Sequence, residues 1–88
     1  AGVLARLARK EYTRAFLLAS QAMMMQPDDL SRRRLLLGQV RAMAGLGQLD
    51  EARKIYKALN EQFPYSEETV RARQAIVDAA TSRPGQSS

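Results

Sequence analysis

The chain has 88 residues, of which 45% are hydrophobic, and carries a formal net charge of +5 at pH 7. A chain of this length builds one compact domain with a modest core. It contains no Cys and no His, which excludes disulfides, thiol nucleophiles, imidazole bases and the common transition-metal sites. We therefore expect no metal and no cofactor, and the basic excess favours an acidic partner.

Apolar runs in the sequence are short. None approaches the roughly 20 residues that a membrane-spanning helix needs, and no signal-peptide pattern is present. We expect no membrane insertion. Because Ala1 falls inside a predicted helix, we also expect a fragment or a processed product, so a missing signal carries no information about location.

The sequence repeats itself with a period of 37 residues. Such a period indicates copies of one helical hairpin, and the pairing of Arg34 with Arg71 continues it into a third unit. The shift pairs Val3 with Val40, Tyr12 with Leu49, Ala15 with Ala52, Leu18 with Ile55, Ala22 with Leu59 and Pro27 with Pro64.

The first predicted helix, over 12–25, is apolar on nearly all sides. Such a helix is usually buried on more than one face. Leu17 and Met24 form a candidate hydrophobic contact surface, which an upstream repeat, a second copy or a hydrophobic ligand helix would cover. The stripe expected to be buried consists of Ala15, Leu18, Ala19 and Ala22.

The second predicted helix begins after Pro27, where Asp28 or Asp29 can cap it. It ends at 45–47, where glycine can adopt the left-handed conformation that closes a helix. Its apolar stripe has i, i+4, i+7 spacing and consists of Leu36, Val40 and Met43.

The third predicted helix is amphipathic. Its first turn is acidic, which suits the positive end of the helix dipole, and its polar side has charges at i, i+4 spacing. The apolar stripe consists of Ala52, Ile55, Tyr56, Leu59 and Phe63, and the charged side of Asp50, Lys54, Lys57 and Glu61.

The last predicted helix follows Pro64, with Ser66 as its cap, and runs to about Ala80. Its outer side is polar, as the end of a helical stack requires. The following residues have no apolar side chain to dock them. The sequence thus predicts one helical domain over 1–80 and a disordered tail over 81–88.

The segment 47–64 resembles the second half of a tetratricopeptide repeat. It has the turn residue Gly47, the small Ala52, the aromatic Tyr56 and the closing Pro64 at that family's spacing. The resemblance implies the C-terminal part of a bacterial array with an all-α superhelix of about two helix-turn-helix repeats plus a capping helix. It also implies a concave groove lined by the first helix of each pair.

The candidate groove is basic. Guanidinium groups there would bind the carboxylates of an acidic or C-terminal peptide, although solvated arginines are an ordinary alternative. Family members that clamp a C-terminal carboxylate use Lys and Asn, so that activity is not implied here. The candidate groove residues are Arg34, Leu37, Arg41, Arg71 and Gln74.

Nucleic acid and catalysis are both disfavoured. Arg32, Arg33 and Arg34 occupy successive helical positions that point in three directions, and no aromatic residue interleaves them for base stacking. Most of the acidic residues lie at helix starts or in charge pairs, so none forms a convincing catalytic site.

The main hypothesis is a protein-interaction scaffold. Residues 62–66, with the sequence QFPYS, resemble the inter-repeat loops of family members in outer-membrane assembly, secretion or polysaccharide export. The resemblance favours the bacterial periplasm or cell envelope over the cytoplasm. The alternatives are a secretion-type chaperone that holds an exported client, and a homo-oligomerisation module that uses Leu17 and Met24.

Overall fold

Residues 2–81 fold into four helices joined by short turns. The computed structural model describes residues 2–81, with side chains described for 9–81. These residues contain no strand, and the predicted all-α class is confirmed. The helices are α1 (Gly2–Met23), α2 (Asp29–Gly45), α3 (Leu49–Gln62) and α4 (Glu67–Thr81).

Consecutive helices pack against each other, and α2 also packs against α4. The helices α2 and α3 therefore form one complete hairpin. The period of 37 residues aligns α1 with α3, the second helix of this hairpin, and α4 with α2, its first helix. This is the predicted helical-repeat architecture, with α2 at its centre.

The core lies where α2, α3 and α4 meet. Val40 of α2 and both Ala52 and Leu59 of α3 are 0% exposed. Because Ala52 presents a single methyl group, α3 can lie close to α2. Removing such apolar surface from water is the main stabilising contribution to the fold. The rest of the buried core cluster consists of Leu36, Leu37, Ala72 and Ile76.

Gly47 closes α2 as predicted. Its φ of 80° is a left-handed conformation that glycine adopts without steric cost. The Gln48 N–H donates to the Met43 carbonyl oxygen at 2.8 Å, and the Gly47 N–H donates to that of Ala44 at 3.1 Å. This pair of bonds is the Schellman motif, and it sets the turn from α2 into α3.

Side-chain caps begin α2 and α4. Asp28 is the N-cap of α2, where its Oδ1 accepts from the Ser31 N–H at 2.9 Å. Ser66 begins α4 in the same way, because its Oγ accepts from the Thr69 N–H at 3.1 Å. The Thr69 hydroxyl also donates to the Phe63 carbonyl oxygen. Both predicted caps are confirmed.

The structure corrects the predicted burial of α1. Ala19 is buried and Ala22 half-buried, but Ala15 and Leu18 are exposed. The reason is that α1 packs chiefly against α2, through a different side of the helix. On that side the Ser20 Oγ accepts from Gln39 Nε2 at 3.1 Å. Within the described residues, no helix covers Ala15 and Leu18 as α2 covers their counterparts on α3.

Two smaller details also differ from the prediction. On α3, Asp50 pairs with Arg53 at 3.5 Å and Glu51 with Lys54 at 3.4 Å, which is i, i+3 spacing and not i, i+4. Thr81, predicted as the start of the tail, is the last residue of α4. The remainder of the predicted tail, 82–88, lies outside the described residues.

Ala52→Leu is expected to destabilise the fold by about 1–3 kcal/mol, because the larger side chain overpacks the crossing of α2 and α3. Urea unfolding measures the effect. Ala15→Leu is the matched control at the equivalent repeat position, and its free energy of unfolding should change little because Ala15 is exposed. Equal losses in both variants would contradict the assigned packing.

Asp28→Ala is expected to lower the Tm at neutral pH by removing the cap of α2. The hydrogen bond from the Ser31 backbone N–H holds the pKa of Asp28 below its ordinary value of 3.8. A lowered folded-state pKa stabilises the fold above the unfolded value, and this contribution is lost as the pH falls through the folded value. The Tm difference from wild type should therefore shrink below pH 3.8. Asp29→Ala, which removes an equal charge and no cap bond, should have a smaller effect.

Candidate partner-binding surface

The accessible side of α2 carries a row of three residues. Arg34, Gly38 and Arg41 follow each other at i, i+4, i+7 spacing, and both arginines are exposed. Seven residues of helix separate the arginines by about 10 Å along the axis. We call this row the α2 face.

The positive charges of the α2 face are available to a partner. The ion pairs found over 9–81 involve Arg33, Arg53, Lys54 and Arg71 as cations. Arg34 and Arg41 take part in none of them. Each guanidinium therefore keeps its N–H donors for water or for a bound carboxylate.

Packing within the chain does not explain Gly38. A Cβ atom added there would meet no atom within 4 Å, and glycine inside a helix costs about 0.5–1 kcal/mol relative to alanine. Gly45 is different, because a Cβ there would lie within 2.6 Å of the Tyr12 ring. Gly38 thus leaves bare backbone between two arginines for no structural benefit that we can identify. Gly38 was not among the predicted site residues, although a glycine in the middle of a predicted helix was a signal for it.

The α4 helix extends the surface. Arg71 lies one repeat after Arg34 and is also exposed, but it pairs with Glu67 one turn earlier. Gln74 is exposed as well, and its Nε2 donates to Asp78 Oδ1 at 2.8 Å. The predicted groove residues on α4 are therefore accessible but already have partners within the helix.

Leu37 does not belong to the accessible surface. It is 7% exposed and lies in the core cluster together with Ala72 and Ile76 of α4. Gln74, its counterpart one repeat later, is exposed. We therefore remove Leu37 from the predicted groove.

The three consecutive arginines at the start of α2 have three different surroundings. An Arg32 Nη2 group donates to the Pro27 carbonyl oxygen at 3.3 Å. Arg33 lies with its guanidinium carbon 5.4 Å from the centre of the Phe63 ring, a cation–π contact. Its Nε is 3.4 Å from Glu68 Oε1, without hydrogen-bond geometry. Arg32 and Arg33 are half-buried and Arg34 is exposed. The run therefore forms no continuous cationic patch.

The predicted hydrophobic contact surface comprises Leu17 on α1 and Met24 directly after the last residue of α1. Leu17 is 55% exposed and Met24 is 82% exposed. A shallow depression of about 410 Å³ lies at the Leu17 end of this surface. The residues that line it are Arg9, Lys10, Thr13, Arg14 and Leu17.

Neither a metal site nor a membrane-spanning helix is evident in the part of the chain that the structure describes. No group of three or more acidic side chains that could hold a metal ion was found there. In the same residues, no helix is long and apolar enough to cross a membrane.

The hairpin of α2 and α3, with α1 and α4 packed on α2, defines an all-α repeat module. The sequence profile of the tetratricopeptide repeat matches residues 6–80. The chain belongs to the tetratricopeptide repeat family, as its sequence resemblance indicated. Repeats of this family generally mediate protein–protein interactions and form a scaffold that is not catalytic. No curated protein and no solved structure shows a significant match to the chain.

Gly38→Ala is expected to stabilise the fold by about 0.5–1 kcal/mol, because alanine is the better helix former and nothing obstructs its methyl group. Gly45→Ala should instead destabilise it, since the new methyl group displaces the Tyr12 ring. Urea unfolding separates the two cases. In a Tyr12→Ala background the Gly45→Ala penalty should disappear, and its persistence there would contradict the assigned contact.

Proposed function

We propose that the chain binds an acidic segment of a partner polypeptide on the α2 face, within a bacterial envelope, secretion or export assembly. The observation that carries this proposal is the pair of exposed arginines without ion pairs on either side of Gly38. A carboxylate that binds there gains charge-assisted hydrogen bonds. The bare backbone at Gly38 lets the partner chain approach α2 closely.

The exposed residues of α4 support an extended binding site. Arg71 is tied to Glu67, but exposed ion pairs of this kind contribute little to stability. Exchange of Glu67 for a carboxylate of the partner therefore costs little. With Gln74 beside it, α4 offers a second point of attachment next to the α2 face.

The proposed role is binding without catalysis. The α2 face supplies guanidinium groups and a stretch of backbone, which suit electrostatic recognition and provide no general base. Membership of a scaffold family supports the same conclusion.

The envelope setting rests on the loop between α3 and α4. Its sequence QFPYS over 62–66 resembles loops of family members that work in envelope assemblies. Phe63 packs against the core and Tyr65 is fully accessible to solvent. We propose the periplasm or cell envelope as the location on that resemblance.

The double variant Arg34→Glu, Arg41→Glu is expected to bind an acidic peptide about tenfold more weakly or worse, because a hydrogen bond to a charged group contributes about 1.5–3 kcal/mol. Fluorescence anisotropy measures this with a labelled peptide of alternating Glu and Ala. A control peptide of alternating Gln and Ala, which carries no carboxylates, should bind weakly to the wild-type chain.

The matched control is Arg53→Glu, Lys57→Glu, which makes the same change in net charge on exposed positions of α3. An equal loss of affinity in the control would show that overall charge, and not the α2 face, attracts the peptide. Gly38→Ala provides a second check, since it should weaken peptide binding while it stabilises the fold. Binding that rises with stability in this variant would exclude close approach at Gly38.

A further inference from the structure

Comparison of the two repeats isolates an unusual surface on α1. Leu17 and Met24 correspond, one period later, to Lys54 and Glu61 of α3. Both of these counterparts are exposed in the complete hairpin of α2 and α3. Both positions are therefore exposed to solvent in the complete hairpin, where they hold charged side chains. The equivalent positions one period earlier hold the apolar residues Leu17 and Met24.

The exposure of Ala15 and Leu18 has a different cause. Their counterparts, Ala52 and Ile55, pack in the core beside α2. A helix that packed on α1 as α2 packs on α3 would cover Ala15 and Leu18, and it would still leave Leu17 and Met24 in water. Stacking of repeats thus does not account for Leu17 and Met24.

This side of α1 also lacks the acids that α3 carries at the equivalent positions. Arg14 stands where α3 has Glu51, and Thr13 stands where it has Asp50. Arg9 and Lys10 complete the lining of the depression beside Leu17. Over 9–81, none of these three cations takes part in an ion pair. We call the set Arg9, Lys10, Arg14, Leu17 and Met24 the outer face of α1.

We propose that the outer face of α1 binds an amphipathic helix of a partner protein, as a second interaction surface separate from the α2 face. Apolar residues of that helix contact Leu17 on α1 and Met24, the first residue after the end of α1. Acidic residues of the helix pair with the cations around the depression. Methionine adapts its shape to such a contact at little cost.

Two other occupants fit the surface less well. A second copy of the chain in a symmetric dimer would bring one basic outer face against another, and the like charges would repel each other. A lipid surface favours helices with a broad apolar side rich in aromatic residues. The outer face has one narrow apolar row and no aromatic residue.

The test uses the double variant Leu17→Lys, Met24→Glu, which introduces the residues that α3 carries at these positions and leaves the net charge unchanged. The probe is a labelled helical peptide of Glu and Ala with Leu at every seventh position. The variant should bind it about tenfold more weakly or worse, because the apolar contacts are lost. Arg14→Glu should weaken binding and reduce its dependence on salt. A probe with Lys in place of Glu should bind poorly to the wild-type chain.

Two control variants locate the effect. Lys54→Leu, Glu61→Met places the same apolar pair on α3, where the acids Asp50 and Glu51 stand in place of Thr13 and Arg14, and should not improve binding of the acidic probe. In the Arg34→Glu, Arg41→Glu background, which removes acidic-peptide binding by the α2 face, Leu17→Lys, Met24→Glu should still weaken binding of the Leu-containing peptide about tenfold, which distinguishes this proposal from the proposed function of the α2 face. Unchanged affinity in the Leu17→Lys, Met24→Glu variant would overturn the proposal.

Two further measurements decide between occupants. Light scattering should give a monomer of 9.8 kDa, and a dimer that Leu17→Lys, Met24→Glu dissociates would assign the outer face to a second copy and overturn the proposal. Sedimentation with vesicles of phosphatidylserine and phosphatidylcholine should show no binding that depends on these two residues. Such binding, together with failure of the peptide to bind, would assign the face to a lipid surface.

Discussion

The close contact between α2 and α3 is the constraint on which the rest of the structure depends. Val40 and Ala52 are both completely shielded from solvent there, and the methyl group of Ala52 permits the short separation between the two helices. With α3 on one side, α2 also packs against α1 and α4. The side of α2 that remains accessible is narrow, and it holds Arg34, Gly38 and Arg41. The candidate site therefore lies on the most firmly supported helix of the domain, which suits recognition by residues in fixed positions.

The repeat separates what the fold requires from what a partner requires. Arg34 and Arg71 occupy equivalent positions one period apart, and both are exposed. The same surface feature therefore occurs on α2 and on α4. Where the copies differ in chemistry although neither position is needed for packing, as with Leu17 and Lys54, the difference has no cause within the fold. The same reasoning applies to Gly38, which packing does not require. The α2 face and the outer face of α1 are therefore inferred from residues, such as Gly38 and Leu17, that packing within the domain does not require.

Local rules made much of this fold predictable from sequence. The stripe of Leu36 and Val40, the cap at Asp28 and the turn at Gly47 depend on neighbours within a few residues, and all are observed. Burial that depends on a distant helix was harder to predict. Leu18 was expected inside because its counterpart on α3 is covered, but no described helix covers it on α1. Leu37 was expected in the groove but is buried in the core cluster. Three helices pack against α2, and the spacing of apolar residues along one helix does not determine which of its sides each neighbour covers.

The support of α1 by essentially one neighbour has a consequence for motion. A helix that packs against a single neighbour can open and close locally, and the free energy of such local opening is lower than that of global unfolding. Backbone amides of α1 should therefore exchange with solvent deuterium faster than those of α2, which three helices surround. A ligand that binds α1 while it is packed against α2 stabilises that packed conformation over the locally opened one. Binding at this end of the domain would thus slow the exchange along the whole helix, including amides far from the contact itself.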